Sequence, residues 1–362
     1  MEAGRNRPPC VDRMEPRTRT LSMTGSGIER LYGLAPVTIG LAVLSLLLVL
    51  LVASAGADPR AAIVELAYGA FGERYLVAET VVTAIPLALV GLGVIPALRA
   101  GLFTIGSQGQ LIAGAAVSVA LIEAFSGFGA VALLAIGLIG GVCGGAFYAL
   151  IPAFLRSRFS VNEILSTLLL NYIAAIGLVW LLKGPLATAA QTATPRSDAL
   201  PDAAVIPLFM ENTRLHWGIV LVPVLAALLL YWMRTGSRLK FDIFSTHPPL
   251  AARLGLSEHR AVYGTLIFSG VAAGLAGWVQ VAGVTHTLYA SVDGGLGFRG
   301  ILVAVLGGLH PIGAVAAALF LAALSTGAQG VQLGTGVPAA IAIVAEGLIL
   351  LFAAILFTRR KV

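Results

Sequence analysis

Residues 80–98 read TVVTAIPLALVGLGVIPAL, a stretch of nineteen residues that carries no charge. A transmembrane helix needs about 20 predominantly apolar residues to cross the hydrocarbon core of a bilayer. The stretch is continuously apolar rather than alternating, which argues against a strand and indicates a helix. We therefore interpret residues 80–98 as a membrane-spanning helix.

The whole chain has the same apolar character. Of its 362 residues, 58% are hydrophobic and 11% are charged, whereas a soluble domain has about 25% charged residues. This composition excludes a disordered chain, a disulfide scaffold and most soluble enzymes. The two cysteines, Cys10 and Cys143, lie far apart in the sequence and support neither a disulfide framework nor a metal site.

Ten apolar runs predict an all-α polytopic membrane protein with about ten transmembrane helices. The run at 298–310 is too short to span comfortably, and glycines and Pro311 flank it, so we predict a short, broken or re-entrant helix there. The ten runs are residues 34–54, 80–98, 101–122, 128–150, 161–182, 216–233, 260–282, 298–310, 312–330 and 337–357.

The basic residues predict the orientation of these spans. If the N-terminus is cytoplasmic, 17 of the 23 Lys and Arg residues fall inside and 6 fall outside, as the positive-inside rule requires. An even number of spans then gives N-in and C-in. Residues 1–30 are predicted to be a disordered basic cytoplasmic tail, and residues 31–362 to form the transmembrane domain. The first apolar run is longer than the hydrophobic region of a signal peptide, so we expect it to remain uncleaved.

Polar residues within the apolar runs mark candidate functional positions, because they are costly in a membrane unless they are paired or used. Residues 99–110, RAGLFTIGSQGQ, contain three glycines and are predicted to turn beside a central cavity. Glu163 and Glu346 are candidates for the substrate pathway. The alternative role is helix capping for Glu163 and a structural hydrogen bond for Glu346. The predicted lining suits a neutral, hydroxyl-rich molecule better than an ion. The candidate substrate pathway comprises Thr104, Gln108, Gln110, Asn162, Glu163, Asn171 and Glu346.

Residues 234–260 form the longest predicted cytoplasmic loop, and they contain a predicted short helix. Proline suits the first turn of a helix and glycine its end, so Pro248 and Gly255 bound it. Leu250, Leu254 and Leu256 are expected to be exposed, either to a groove on a partner protein or, alternatively, to the bilayer surface. The candidate partner contacts are Pro248, Pro249, Leu250, Ala251, Ala252, Arg253, Leu254, Gly255 and Leu256.

Several of these stretches resemble the ABC-transporter permeases for nucleosides and simple sugars, within the superfamily of branched-chain amino acid and ribose permeases. Residues 161–172, VNEILSTLLLNY, are similar to the family signature V-N-E-V-I-x-T-I-M-L-N-Y, which is the most specific match. Residues 101–110 resemble F-N-I-G-x-E-G-Q, with Thr104 and Gln108 in place of Asn and Glu, and residues 295–311 resemble G-x-G-F…A-L-L-G-x-x-x-P. Residues 251–255 resemble the family's coupling segment, and Glu346 stands where the family usually has Gln.

The resemblance implies a multi-pass permease in the bacterial inner membrane. It implies three kinds of partner: a second permease chain (the same or related), a cytoplasmic ABC ATPase subunit, and an extracytoplasmic substrate-binding protein. The sequence contains neither a Gly-rich loop ending in Gly-Lys-Ser/Thr nor a His-Glu-x-x-His motif. We therefore expect no enzyme activity, no nucleic-acid partner and no cofactor in this chain, with ATP bound by the partner ATPase.

Two other classes of function are compatible with the residues alone. A proton- or ion-coupled secondary transporter would need no ATPase, and Glu346 would then be essential. A structural membrane scaffold is disfavoured by the polar interruptions within the apolar runs, which such a protein does not need.

Overall fold

The computed structural model of this protein describes residues 58–188 and 194–335, together with five isolated positions nearer the two ends. The regular secondary structure in these ranges is helical, which confirms the predicted all-α class. The predicted tail over residues 1–30 and Glu346 lie outside the described residues. Almost all of the predicted spans at 34–54 and 337–357 also lie outside them.

Eleven α-helices follow one another within the described part of the chain. A 3₁₀ turn, Trp217–Val220, leads into the sixth, and a π-helix, Gln280–Thr285, continues the ninth. The helices are α1 Pro59–Phe71, α2 Arg74–Arg99, α3 Ser107–Ala124, α4 Ala130–Phe159, α5 Glu163–Lys183, α6 Leu221–Arg234, α7 Ser237–Thr246, α8 Pro248–Arg253, α9 Glu258–Val279, α10 Leu296–Leu306 and α11 Pro311–Thr335.

Within residues 58–188 and 194–335, six helical segments are long and apolar enough to cross a membrane. They are Arg74–Arg99, Ala130–Phe159, Glu163–Lys183, Trp217–Arg234, Glu258–Thr285 and Pro311–Thr335. Helix α10 has 11 residues, which confirms that the run predicted at 298–310 is too short to span. Helix α10 begins at Leu296, two residues before the predicted start, and ends at Leu306.

One helix was not predicted, and several helix boundaries differ from those predicted. Helix α1 was not predicted; it starts at Pro59, where the Asp58 carboxylate accepts a hydrogen bond from the backbone N–H of Arg60 at 2.9 Å. Helix α4 was expected to end at residue 150 but continues to Phe159, so that Arg156 lies in its last turn rather than in a loop. A cation is favourable there because helix C-terminal carbonyls carry partial negative charge. Helix α3 begins at Ser107 instead of residue 101.

Glycines bring α4 and α9 into direct backbone contact. A Cβ added to Gly145 would collide with the carbonyl oxygen of Gly270, and one added to Gly274 would collide with that of Gly141. Small residues four positions apart let membrane helices approach closely. These glycines therefore allow close packing of the two helices, and the contact places α9 in the interior of the bundle.

Helix α2 is the most deeply buried of the spanning helices, and it packs against α9, α10 and α11. Helix α5 lies at the periphery, where Tyr172, Ile176 and Trp180 are exposed on its outer face. The short helix α10 lies against α2: Gly91 on α2 meets Val303, and Gly300 on α10 meets Val90. The polar segment between α2 and α3 is thus enclosed by α5 on one side and α10 on the other.

Candidate functional site

Residues 101–106 form a non-helical segment between two apolar helices. Gly101 has φ +74°, a left-handed conformation that glycine adopts at no steric cost, and helix α3 resumes at Ser107. The N–H groups of Gly101 and Leu102 still reach carbonyls of α2, but the backbone groups around Ile105 lack helical partners. Within a membrane they must therefore be satisfied by other parts of the protein.

Asn171 on α5 supplies one partner to this segment and one to the first turn of α3, whose N–H groups also lack partners within the helix. Its Nδ2 donates to the backbone carbonyl of Ile105 at 2.9 Å, and its Oδ1 accepts from the backbone N–H of Gly109 at 2.9 Å. One partner needs a donor and the other an acceptor, which fixes the orientation of the amide. Asn171 is only 3% exposed, so its polar atoms are committed to the backbone of this segment.

Two threonines complete this support. Thr167 on α5 accepts a hydrogen bond from the backbone N–H of Ile105 at 3.3 Å. Thr104 accepts one from the backbone N–H of Gly106 at 3.3 Å, within the segment itself. Both threonines are fully buried. The segment is therefore stabilised by side chains that leave little polar capacity free for a solute.

Gln108 and Asp293 form a polar pair between the N-terminal ends of α3 and α10. The Gln108 Nε2 donates to Asp293 Oδ2 at 2.9 Å, and the same carboxylate oxygen accepts from the backbone N–H of Gly295 at 3.3 Å. Both side chains are half-buried. In the described part of the chain, no Lys or Arg forms an ion pair with Asp293. The pair therefore presents a negatively charged acceptor beside an amide.

Sequence reasoning missed Asp293. The available signal was a single carboxylate at 293, followed by Gly294 and Gly295, directly before the short apolar helix. Its importance depends on Gln108, which is 185 positions away in the sequence. A Cβ on Gly297 would collide with the backbone of Gln108, so it is the close approach of α10 to α3 that brings the pair together.

Gln110 lies on α3 and faces α9 instead of the polar pair. Its Oε1 accepts a hydrogen bond from the Ser269 hydroxyl at 3.2 Å, and the side chain is 1% exposed. Among the described residues, its Nε2 and the nearby Ser107 hydroxyl have no hydrogen-bond partner. The structure thus places Thr104, Gln108, Gln110 and Asn171 around one segment.

Asn162 and Glu163 lie apart from that group, at the first turn of α5. Asn162 caps the helix by accepting a hydrogen bond from the backbone N–H of Ile164 at 2.8 Å. The Glu163 carboxylate lies 3.5 Å from the Arg156 guanidinium at the end of α4. These contacts join two helix ends, in agreement with the capping alternative.

The predicted short helix after Pro248 is present as α8, and Gly255 follows it with φ +88°. Leu250 is 47% exposed and Leu254 is 44% exposed. The expectation that Leu256 is exposed was wrong, because Leu256 is 8% exposed and packs in an apolar cluster with Phe244 and Leu266. Ala251 is buried in the same cluster. The helix therefore has one packed face and one exposed face.

A family model described as the permease component of the branched-chain amino acid transport system matches residues 76–356. The chain is 35% identical over 294 residues to a glucose ABC transporter permease protein of Haloferax volcanii, an alignment that covers 76% of this chain and 74% of the relative. It is 34% identical to a guanosine ABC transporter permease protein of Bacillus subtilis, covering 79% of this chain and 83% of the relative. It is 30% identical to a nucleoside ABC transporter permease protein of Lactococcus lactis, covering 81% and 83%. No solved structure matches the chain.

Proposed function

Because the chain belongs to the family of permease components of the branched-chain amino acid transport system, we propose that it forms the translocation path of an ABC importer for a nucleoside or simple sugar. The observation that carries the proposal is the non-helical segment 101–106, which is partly buried between helices and leads to the half-buried pair of Gln108 and Asp293. Broken backbone at membrane depth is tolerated where it lines a protein-enclosed path.

The polar pair supports a neutral solute that is rich in hydrogen-bond donors. The Asp293 carboxylate accepts hydrogen bonds, and the Gln108 amide can both donate and accept. Sugar hydroxyls and the N–H groups of a nucleobase match this set. A relative is named for glucose, another for guanosine and a third for nucleosides, which agrees with that chemistry.

The other candidate pathway residues take different places in this proposal. Thr104 and Asn171 bond the backbone beside Gln108 and hold the segment in place, whereas Gln110 joins α3 to Ser269 on α9. Asn162 and Glu163 lie at the cytoplasmic mouth of the path, at the start of α5.

The arrangement of charges supports an N-in and C-in orientation in the bacterial inner membrane, with α8 in the cytoplasm. A cytoplasmic ABC ATPase subunit then docks on α8, and an extracytoplasmic binding protein delivers the solute to the opposite face. A second permease chain, identical or related, completes the path. ATP hydrolysis occurs on the ATPase, and this chain supplies no catalytic group.

The proposed function is tested by reconstituting the chain with its ATPase and binding protein in liposomes. Uptake of radiolabelled guanosine or glucose is expected to require ATP on the cytoplasmic side. Liposomes that contain this chain alone, under an imposed proton gradient, should accumulate neither solute. Accumulation by the chain alone would replace the proposal with a gradient-driven transporter.

Replacing Asp293 with Asn should weaken the interaction with the solute while leaving the fold intact. Losing a hydrogen bond to a charged group costs about 1.5–3 kcal/mol, so the KM for uptake should rise roughly 10- to 100-fold. The matched control is Asp202→Asn, which changes an exposed carboxylate in the loop between α5 and α6. An unchanged KM in the Asp293 variant would remove this residue from the path.

Replacing Leu254 with Asp should release the ATPase subunit, because it introduces a charge into an apolar contact. Co-purification of the ATPase with a tagged permease measures the effect, and we expect at least a roughly tenfold loss, the equivalent of about 1.4 kcal/mol. Leu208→Asp is the control, since Leu208 is also exposed but lies in the loop that the proposed orientation places outside. Retention of the ATPase by the Leu254 variant would contradict docking at α8.

A further inference from the structure

A single side chain at the end of α2 joins three separate elements of the fold. The Arg99 guanidinium donates from Nε and Nη2 to the backbone carbonyl of Leu309, at 3.1 and 2.9 Å. Its Nη1 donates to a carboxylate oxygen of Asp242 at 3.2 Å. The Arg99 side chain is 12% exposed, so water has little access to the guanidinium, whereas the Asp242 carboxylate is 37% exposed and keeps contact with water.

Asp242 connects this arginine to the helix on which the ATPase is proposed to dock. Asp242 lies on α7, which passes into α8 through the single residue His247. The buried face of α8 packs in the same apolar cluster as Ala97 and Ala100, on either side of Arg99. A displacement of α8 therefore moves the carboxylate that Arg99 holds.

Leu309 connects the arginine to helix α10 through the turn that follows this helix. The turn between α10 and α11 holds Gly308 at φ +65° and Leu309 at φ +55°. A non-glycine residue with positive φ is uncommon and needs support from its surroundings. Arg99 supplies that support by holding the Leu309 carbonyl, and the Leu309 N–H is bound to the carbonyl of Ala304 on α10.

Helix α10 spans the distance from this turn to the polar pair. Its 11 residues form a rod about 16 Å long. Its first end lies against Gln108 through Gly297 and begins beside Asp293, and its last end leads into the turn that Arg99 holds. A shift of the turn is therefore transmitted along α10 to the pair.

We propose that Arg99 is a positioning residue that couples movement of the docking helix α8 to the Gln108 and Asp293 pair. The role rests on the proposed function as an ABC permease. When the ATPase displaces α7 and α8, Asp242 moves, the guanidinium shifts with it, and the Leu309 turn carries α10 along. Coupling between two sites needs a structural element whose position depends on both of them. In this proposal that element is α10.

Arg99→Gln is the first variant, tested in the reconstituted complex with its ATPase and binding protein. Both the rate of uptake and the rate of ATP hydrolysis are measured, together with the melting temperature and the amount of ATPase that co-purifies. We expect the ratio of solute transported to ATP hydrolysed to fall at least about tenfold, with ATPase association retained. A residue with a purely structural role would lower both rates together.

Two further variants keep the test decisive if Arg99→Gln does not fold. Arg99→Lys keeps the charge but loses the planar fork that bonds two groups at once, and Asp242→Asn keeps the shape but loses the ion pair. Both should lower the same ratio. The matched control is Arg238→Gln, because Arg238 also contacts Asp242, at 3.3 Å, but does not reach Leu309 in the described contacts.

The outcomes separate the coupling role from the proposed function. A wild-type complex that takes up solute without ATP would overturn both. A wild-type complex that uses ATP normally, combined with unchanged coupling in the folded Arg99 and Asp242 variants, would overturn the role of Arg99 alone. Loss of coupling in Arg238→Gln equal to that in Arg99→Gln would also overturn it, because the contact with Leu309 would then be irrelevant.

Discussion

Asn171→Leu should lower the yield of folded protein and its melting temperature. The new side chain has a similar size but cannot pair with the carbonyl of Ile105 or the N–H of Gly109. Leaving a buried polar group unsatisfied costs about 1–3 kcal/mol, so the two together cost roughly 2–6 kcal/mol. That is a large part of the roughly 5–15 kcal/mol that stabilises a typical protein.

The measurement is the melting temperature and the monodisperse fraction of the detergent-purified chain. Tyr172→Leu is the matched control, because it changes the next residue on α5, which is 64% exposed on the outer face. It should melt close to the wild type. If Asn171→Leu also melts like the wild type but loses uptake, Asn171 contacts the solute directly instead of bracing the segment.

Gly274→Val should prevent the bundle from assembling. A Cβ at this position would collide with the carbonyl oxygen of Gly141 and lie 3.0 Å from the Cα of Gly145. Both are backbone atoms that cannot rotate away, so α4 and α9 would have to separate. Overpacking a buried site typically costs about 1–3 kcal/mol, and backbone contacts along a whole helix pair place this case at the upper end or above.

Gly264 provides the control on the same helix, because a Cβ there has nothing within 4 Å. Gly264→Val should yield monodisperse protein on size-exclusion chromatography, whereas Gly274→Val should aggregate or fail to accumulate. Gly274→Ala is the milder variant. A loss of about 1 kcal/mol in the free energy of unfolding lowers the melting temperature of a moderate-sized domain by several degrees, and we expect a decrease of this order. Equal melting temperatures for Gly274→Ala and Gly264→Ala would contradict direct backbone packing of α4 on α9.

The pattern of residues along the chain was sufficient for the class of protein and for much of its helical structure. Continuous apolar runs predicted spanning helices such as α2 and α9, because the solvent on all sides of a membrane helix is apolar. Pro248 and Gly255 bounded α8 correctly, since helix ends depend on local backbone geometry. The family resemblance also came from contiguous motifs, and the family match confirmed it.

Hydropathy and periodicity failed in two situations: where charge favours a longer helix, and where a contact between separate elements buries a residue. The continuation of α4 past Arg156 reflects favourable charge at the helix end, which hydropathy does not register. The burial of Leu256 reflects an apolar cluster shared with Phe244 and Leu266, which periodicity within one loop cannot show.

The candidate site shows most clearly what the sequence predicts and what only the tertiary contacts determine. Its polar residues could be selected from the sequence, because a polar side chain in an apolar run is costly and therefore has a reason to be there. Only the packing of α5 and α10 around α3 determined which of these polar residues bond the backbone and which pair with another side chain. Asn171 is paired with a segment more than sixty positions away, and Gln108 with a carboxylate 185 positions away. A hydrogen bond depends on distance and direction in space, and the order of residues along the chain contains neither.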